Sequence, residues 1–230
     1  MKNKTIIITG ASKGLGHSLA CRWAGENTII NLSRTSSGDV TKKIEHFPCD
    51  LADTKSISEA FEKVSKKHKK VDLLINNAGC LVSAPVAIMD PKDISRMIAT
   101  NLTAPILLSR LVFRKMMKQQ SGQIINIVSM APKLNIIGDS VYSATKSGLE
   151  TFSKFLNAEG HKFGIHVNNI GVSMLEKGMK ENLLDNEKQK IVNLIPHKQA
   201  AKIEDIGLIV EFFVLNSRDI GGQTVYLGGI

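Results

Sequence analysis

The chain has 230 residues, of which 43% are hydrophobic and 22% charged, a balance that excludes a disordered, collagenous or disulfide-stapled protein and predicts one domain over residues 1–230. A net charge of +9 would suit nucleic acid, yet the basic residues are scattered and aromatics make up 5%, so no nucleic-acid partner is expected. No membrane partner or export is expected either: no uncharged apolar run nears the ~18 residues that span a bilayer, and Cys21, Cys49 and Cys80, odd in number with no Cys-x-x-Cys pair, read as reduced thiols of a cytoplasmic protein with no metal site.

Along the chain, short β-branched runs alternate with longer helical patterns, the βαβ signature of a parallel sheet covered by helices on both faces. The predicted strands are Thr5 to Thr9, Thr28 to Ser33, Ile44 to Pro48, Val71 to Asn76, Gln123 to Ser129, Ile165 to Val172 and Gln223 to Leu227. Helical spacing of apolar residues predicts helices near 15–24, 54–68, 91–119, 142–163 and 203–215. Asp90, Pro91 and Asp93 have the chemistry of a helix start: a capping side chain, a proline in the first turn and negative charge at the positive end of the dipole. The segment 173–201 shows no such regularity. It mixes Met174, Leu175, Met179, Leu183 and Leu184 with lysines, among them Lys177, Lys180, Lys188 and Lys190, and is predicted to be a mobile substrate cap.

The first strand runs into Thr9-Gly10-Ala11-Ser12-Lys13-Gly14-Leu15-Gly16 before an apolar helix. Glycines allow a tight turn and close backbone approach, and a helix N-terminus offers free N–H groups to a pyrophosphate, so this first strand-to-helix turn predicts dinucleotide binding. Asn76-Asn77-Ala78-Gly79 follows the fourth strand, Ser129 ends the fifth, and Tyr142-Ser143-Ala144-Thr145-Lys146 opens the next long helix. With these motifs in this order, nearly the whole chain resembles the classical short-chain dehydrogenase/reductase family, and within it the 3-oxoacyl-(acyl-carrier-protein) reductase-like members. The resemblance implies a Rossmann fold with seven parallel strands, doubly wound. It also implies reduction of a ketone or 3-oxoacyl carbonyl by NADPH, on a small-molecule or carrier-bound substrate, in a homodimer or homotetramer.

By that resemblance the catalytic residues are Asn101, Ser129, Tyr142 and Lys146. The cofactor residues are Gly10, Ser12, Lys13, Gly14, Leu15 and Gly16 in the turn, Ser33 and Arg34 after the second strand, Asp50 and Leu51 after the third, and Asn77, Ala78 and Gly79 after the fourth, together with Tyr142 and Lys146. The chemistry is legible in the residues themselves. Tyr142 and Lys146, four apart on a helix, share a face, and an adjacent ammonium is expected to bring the phenol toward working pH as a proton donor. The Ser129 hydroxyl can bond the developing oxyanion. Pro105 has no N–H, so the helix is expected to kink where the Asn101 carbonyl loses its partner. Arg34 and Lys13, where an acidic residue would mark NAD, point to NADP(H), the alternative being that Arg34 is a solvated surface charge. The sequence departs from the family at Val172-Ser173 and Lys177, where Pro-Gly and a threonine are usual, and at Gly228-Gly229, where Asp-Gly is usual. A specialised sugar, steroid or polyketide-ring enzyme and a non-catalytic nucleotide-binding scaffold are the alternative functions.

Overall fold

Alternation at single-residue spacing builds the sheet. On β1 (Thr5–Thr9), Ile6 and Ile8 pack with one helix layer and Ile7 with the other. The structure is a computed structural model that describes residues 1–37, 44–175, 185–216 and 220–229. After β1 come α1 (Gly14–Trp23), β2 (Thr28–Ser33), β3 (Ile44–Pro48), α2 (Thr54–Lys67), β4 (Leu73–Asn76), α3 (Pro91–Ile98), α4 (Ala104–Gln119), β5 (Gly122–Ser129) and α5 (Ala131–Leu134). The chain continues through α6 (Ser140–Gly160), β6 (Ile165–Val172), α7 (Asp185–Leu194), α8 (Ile203–Leu215) and β7 (Thr224–Leu227).

The seven strands lie in the order β3-β2-β1-β4-β5-β6-β7, and every neighbouring pair is parallel. The chain builds outward from β1 to β3 and then returns to place β4 on the other side of β1. This reversal opens a crevice beyond the carboxyl ends of β1 and β4, where doubly wound sheets bind ligands. One core layer joins Leu15, Leu19 and Trp23 of α1 and Ile206, Val210 and Phe213 of α8 to the sheet. The other joins Ile57, Phe61 and Val64 of α2, Leu108, Val112 and Met116 of α4, and Leu156 of α6. Each fully buried Ile or Leu contributes about 2 kcal/mol by transfer from water.

The helix expected over 91–119 is interrupted. Asp90 caps α3 by accepting from Lys92 N at 2.8 Å, with Pro91 in the first turn. A π-helical turn, Ala99–Thr103, then separates α3 from α4 at the place where Pro105 withholds its N–H. β4 starts at Leu73 rather than Val71 because side chains take the backbone there. Gln119 bonds both the N–H and the carbonyl of Val71, and the Asp72 carboxylate accepts from Thr5 N. The segment 173–201 is less irregular than expected, since it contains α7, and Leu175 bridges to Ala201. Lys177, Met179, Lys180, Leu183 and Leu184 lie outside the described residues. Among the described residues no helix is long and apolar enough to cross a membrane.

Candidate active site

The glycine turn is held from two sides. Asn31 of β2, fully buried, accepts from Ala11 N at 3.0 Å, and Gly10 N donates to Leu32 O at 2.9 Å. From β4, the Asn77 side chain donates to Thr9 O at 2.9 Å, while the Thr9 hydroxyl accepts from both Asn77 N and Ala78 N at 3.0 Å. The fit is tight at Gly16, where a Cβ would stand 2.4 Å from Asn77 Nδ2 and 2.7 Å from Gly10 O. Gly14 is the opposite case: its φ of +58° favours glycine, and a Cβ there would meet open space among the described residues. Lys13, at the N-cap of α1, makes no capping bond with its side chain, and the first turn carries no acidic residue. An uncapped helix start beneath an open glycine backbone fits a pyrophosphate.

One end of the crevice is built from strand ends. Lys13 and Arg34 are both exposed, on loops that leave the neighbouring strands β1 and β2. Ser33 is buried: its hydroxyl donates to Thr35 O at 2.6 Å, and its carbonyl accepts from His46 Nε2 at 2.9 Å, which shapes the chain just before Arg34. Asp50 folds back on Ala52 N at 3.0 Å, and Leu51 lines a cleft with Thr9, Asn76, Ala78 and Thr100. Ser12 is half-buried in the turn and Leu15 is buried beneath it; Gly79 leads to the loop that faces α6.

Asn101, fully buried in the π turn, clamps that loop with its side chain. Its Oδ1 accepts from Cys80 N and its Nδ2 donates to Cys80 O, both at 2.8 Å, with a further bond to Thr145 Oγ1 at 3.3 Å. Tyr142, 6% exposed, and Lys146, 3% exposed, lie one turn apart on the buried face of α6. The Ser129 hydroxyl, at the end of β5, accepts from Ala131 N at 3.1 Å and lies near enough to the Tyr142 phenol to favour its ionised form. Lys146 Nζ donates to Ile127 O at 2.8 Å and sits 5.8 Å from the Tyr142 ring centroid. Asn101, Ser129, Tyr142 and Lys146 are thus brought near one another beyond β4 and β5.

One electrostatic expectation is corrected. Burial pushes the Tyr142 phenol up to about 12; the Ser129 hydroxyl opposes this, and Asp139 and Cys80 add to the rise. Burial likewise pushes the Lys146 ammonium down to about 8. Here desolvation outweighs the lysine, whose ammonium is turned to the Ile127 carbonyl.

A family model described as short chain dehydrogenase matches residues 4–188. The chain belongs to the short-chain dehydrogenase family. Among curated relatives, a protein named 3-oxoacyl-(acyl-carrier-protein) reductase FabG from Buchnera aphidicola subsp. Schizaphis graminum is 32% identical, covering 100% of this chain and 97% of its own. The protein of that name from Escherichia coli K12 is 29% identical over 99% of this chain and 97% of its own. Nodulation protein G of Rhizobium sp. strain N33 is 27% identical over 100% and 97%. The fold is shared with a gluconate 5-dehydrogenase from Burkholderia cenocepacia J2315, solved in complex with NADP and tartrate, with a TM-score of 0.89 at 23% identity over 100% of this chain and 95% of that one.

Against the usual pattern of the short-chain dehydrogenase family, the glycine pair near the C-terminus has a local cause. Gly228 has a φ of +141°, a backbone conformation that side-chain-bearing residues rarely adopt, and a Cβ there would also press on the end of the Met130 side chain, 2.6 Å from Sδ. Val172 is buried and Ser173 bonds the following Met174 carbonyl, while Lys177 lies outside the described residues. Sequence reasoning missed Asn31, Thr145 and the role of the Asn101 side chain. A buried asparagine in an apolar strand was the available signal for Asn31; the clamp on Cys80 spans 21 positions and left none.

Proposed function

We propose that this chain is an NADPH-dependent carbonyl reductase that converts a ketone or 3-oxoacyl group into a secondary alcohol. The observation that carries the reading is the pair Tyr142 and Lys146, buried one turn apart on α6 with Lys146 Nζ 5.8 Å from the Tyr142 ring centroid, near Ser129 at the carboxyl end of β5. NADPH, when bound, supplies a hydride to the carbonyl carbon. Tyr142 gives its proton to the carbonyl oxygen, and the Ser129 hydroxyl bonds the charge that grows there. Lys146 holds positive charge beneath the site below about pH 8. Asn101 acts through the loop, fixing Cys80 against the π turn. Lys13 and Arg34 select the 2′-phosphate, and the backbone from Gly10 to Gly16 receives the pyrophosphate, with Asp50, Leu51 and the Asn77-Ala78-Gly79 run flanking the nucleoside.

An apolar substrate arm is supported by the packing round Tyr142, where Leu81, Val82, Ala84, Ile94 and Ile136 gather with Met89 and Met97. The curated relatives named as 3-oxoacyl-(acyl-carrier-protein) reductases favour an acyl thioester over the polyhydroxy acid of the structural neighbour. A homodimer or homotetramer is supported by exposed Phe155 on α6 and by Leu208, Phe212 and Leu215 along α8. Cys21, Cys49 and Cys80, which stand as thiols, support a reducing compartment such as the cytoplasm. The test is NADPH oxidation with a panel of simple ketones, sugar acids and 3-oxoacyl thioesters. Turnover of the thioesters above the sugar acids is expected, and turnover of none of the panel would reject the enzyme reading.

A further inference from the structure

The chain on which Arg34 stands is held from the neighbouring strand by a side chain that belongs to no motif. β2 ends at Ser33, and the Ser33 carbonyl, as the C=O of the Ser33–Arg34 peptide unit, lies in one plane with the Arg34 nitrogen and Cα. That oxygen accepts two bonds: one from Cys49 N at 3.1 Å, just past the end of β3, and one from His46 Nε2 at 2.9 Å. A carbonyl can only accept, so the imidazole carries a proton on Nε2, and both lone pairs of the oxygen are engaged. His46 is the register partner of Asn31, whereas the partner of Ser33 is Pro48, so the ring reaches forward along the strand to make this contact. Beyond Arg34 the Ser33 hydroxyl donates to Thr35 O at 2.6 Å, which closes the turn from its other side.

The same strand end seats the glycine turn: Asn31 Oδ1 accepts from Ala11 N at 3.0 Å, and Leu32 O accepts from Gly10 N at 2.9 Å. The last three residues of β2 therefore set the backbones that carry Lys13 and Arg34 against each other, and β3 adds His46 to that frame. We infer that His46 is a positioning residue for cofactor choice: through the Ser33 carbonyl it orients the Ser33–Arg34 peptide so that the Arg34 guanidinium and the Lys13 ammonium serve one 2′-phosphate. The inference rests on the reading of Arg34 and Lys13 as the groups that select NADPH. With the Cys49 bond alone the strand end still pairs, but the peptide plane is free to tilt about that single bond. A charge-assisted bond to phosphate depends on direction as well as distance, and holding the donor in place beforehand lowers the ordering cost on binding. NADH has no phosphate at that place, so its binding does not use the orientation.

Fluorescence titration with NADPH and with NADH tests this without any need for turnover. His46→Leu, which removes the N–H, is expected to lower the ratio of NADPH to NADH affinity by about threefold, the size expected of one ordinary hydrogen bond, through weaker NADPH binding. His46→Gln, whose amide nitrogen can stand about where Nε2 stands, is expected to keep the ratio of the parent. Made in an Arg34→Ala background, His46→Leu is expected to change the ratio no further, because the group that it orients is gone. Should His46→Leu fail to fold by circular dichroism, His46→Val, which suits a strand and also lacks the donor, is titrated in its place. A folded variant that keeps the parent's ratio, or that weakens both cofactors equally, overturns the inference, and so does a loss that adds in full to that of Arg34→Ala. A parent chain that binds the two cofactors alike removes the reading of Arg34 and Lys13 itself, and this inference falls with it.

Discussion

The cofactor side and the substrate side of the crevice are built by different means. On the cofactor side, β1, its glycine turn and α1 are continuous in sequence, and the long-range bonds from Asn31 and Asn77 hold a shape that the local residues already favour. On the substrate side, nothing continuous does the work. The loop from Cys80 to Ala84 is clamped by Asn101, bonded to Asp139 through Ser83 and zipped to Gly138, while Tyr142 and Ser129 meet from α6 and β5. A turn that binds phosphate through backbone N–H groups can be written in eight consecutive residues. A pocket that places a proton donor against a carbonyl needs side chains from several strands and helices at once.

The sharpest way to break this contrast is Tyr142→Phe, which removes one oxygen from the substrate side and nothing from the cofactor side. Reduction is expected to fall by about 10²- to 10⁴-fold, with NADPH affinity held within twofold, as read by steady-state rates and fluorescence titration. If most of the turnover survived, another group would have to supply the proton.

The matching change on the cofactor side is Arg34→Ala. It should weaken NADPH about tenfold and leave NADH nearly unchanged, because a charge-assisted bond to the 2′-phosphate is lost while no contact to the shared part of the two cofactors changes. Equal loss for both cofactors would make Arg34 a surface charge and move the selectivity to Lys13.

The smallest effect separates the two sides by stability. In the folded chain Lys146 releases its proton at about 8, against 10.5 for an exposed lysine. Between those values the unfolded chain binds more protons, so this group makes stability rise with pH across the window. Tyr142 has the opposite sign: the folded state keeps its proton up to about 12, against 10.0 for a free phenol, so its contribution is lost as pH rises through about 12. Lys146→Met should flatten the lower window. The stability of the parent relative to the variant is expected to grow by about 2 kcal/mol between roughly pH 8 and 9.5, measured by urea unfolding without cofactor. A constant difference would mean that Lys146 is neutral or solvated in the free protein.

Four of the seven strands, β1, β2, β3 and β6, begin and end where periodicity placed them; β1, β2 and β6 are buried runs with sharp borders, and β3, half-buried at the sheet edge, ends on Pro48. The segment 173–201 was harder to read. α7 carries a polar composition with little apolar spacing, and its start lies next to residues outside the described set. The polar ladder through the sheet had local signals but none that joined its members. Asn76, Asn126, Asn169 and Thr224 are register partners on β4 to β7, and they bond in series before reaching Glu150, which also accepts from Tyr226 at 2.5 Å. Each asparagine alone is an oddity in an apolar strand. Only strand pairing makes them mutual partners, and burial without such partners would be costly.

The sequence by itself determined the α/β class, the order of the motifs, the glycine turn and the four residues that meet at the site, because each rests on local periodicity or on spacing along one element. Tertiary structure alone decided that the Asn101 side chain clamps Cys80, that Lys146 turns to the Ile127 carbonyl, and that Ser83 bonds the Asp139 carboxylate. These bonds join residues 19 to 56 positions apart. Their effect on charge depends on burial, which exists only once the layers have packed.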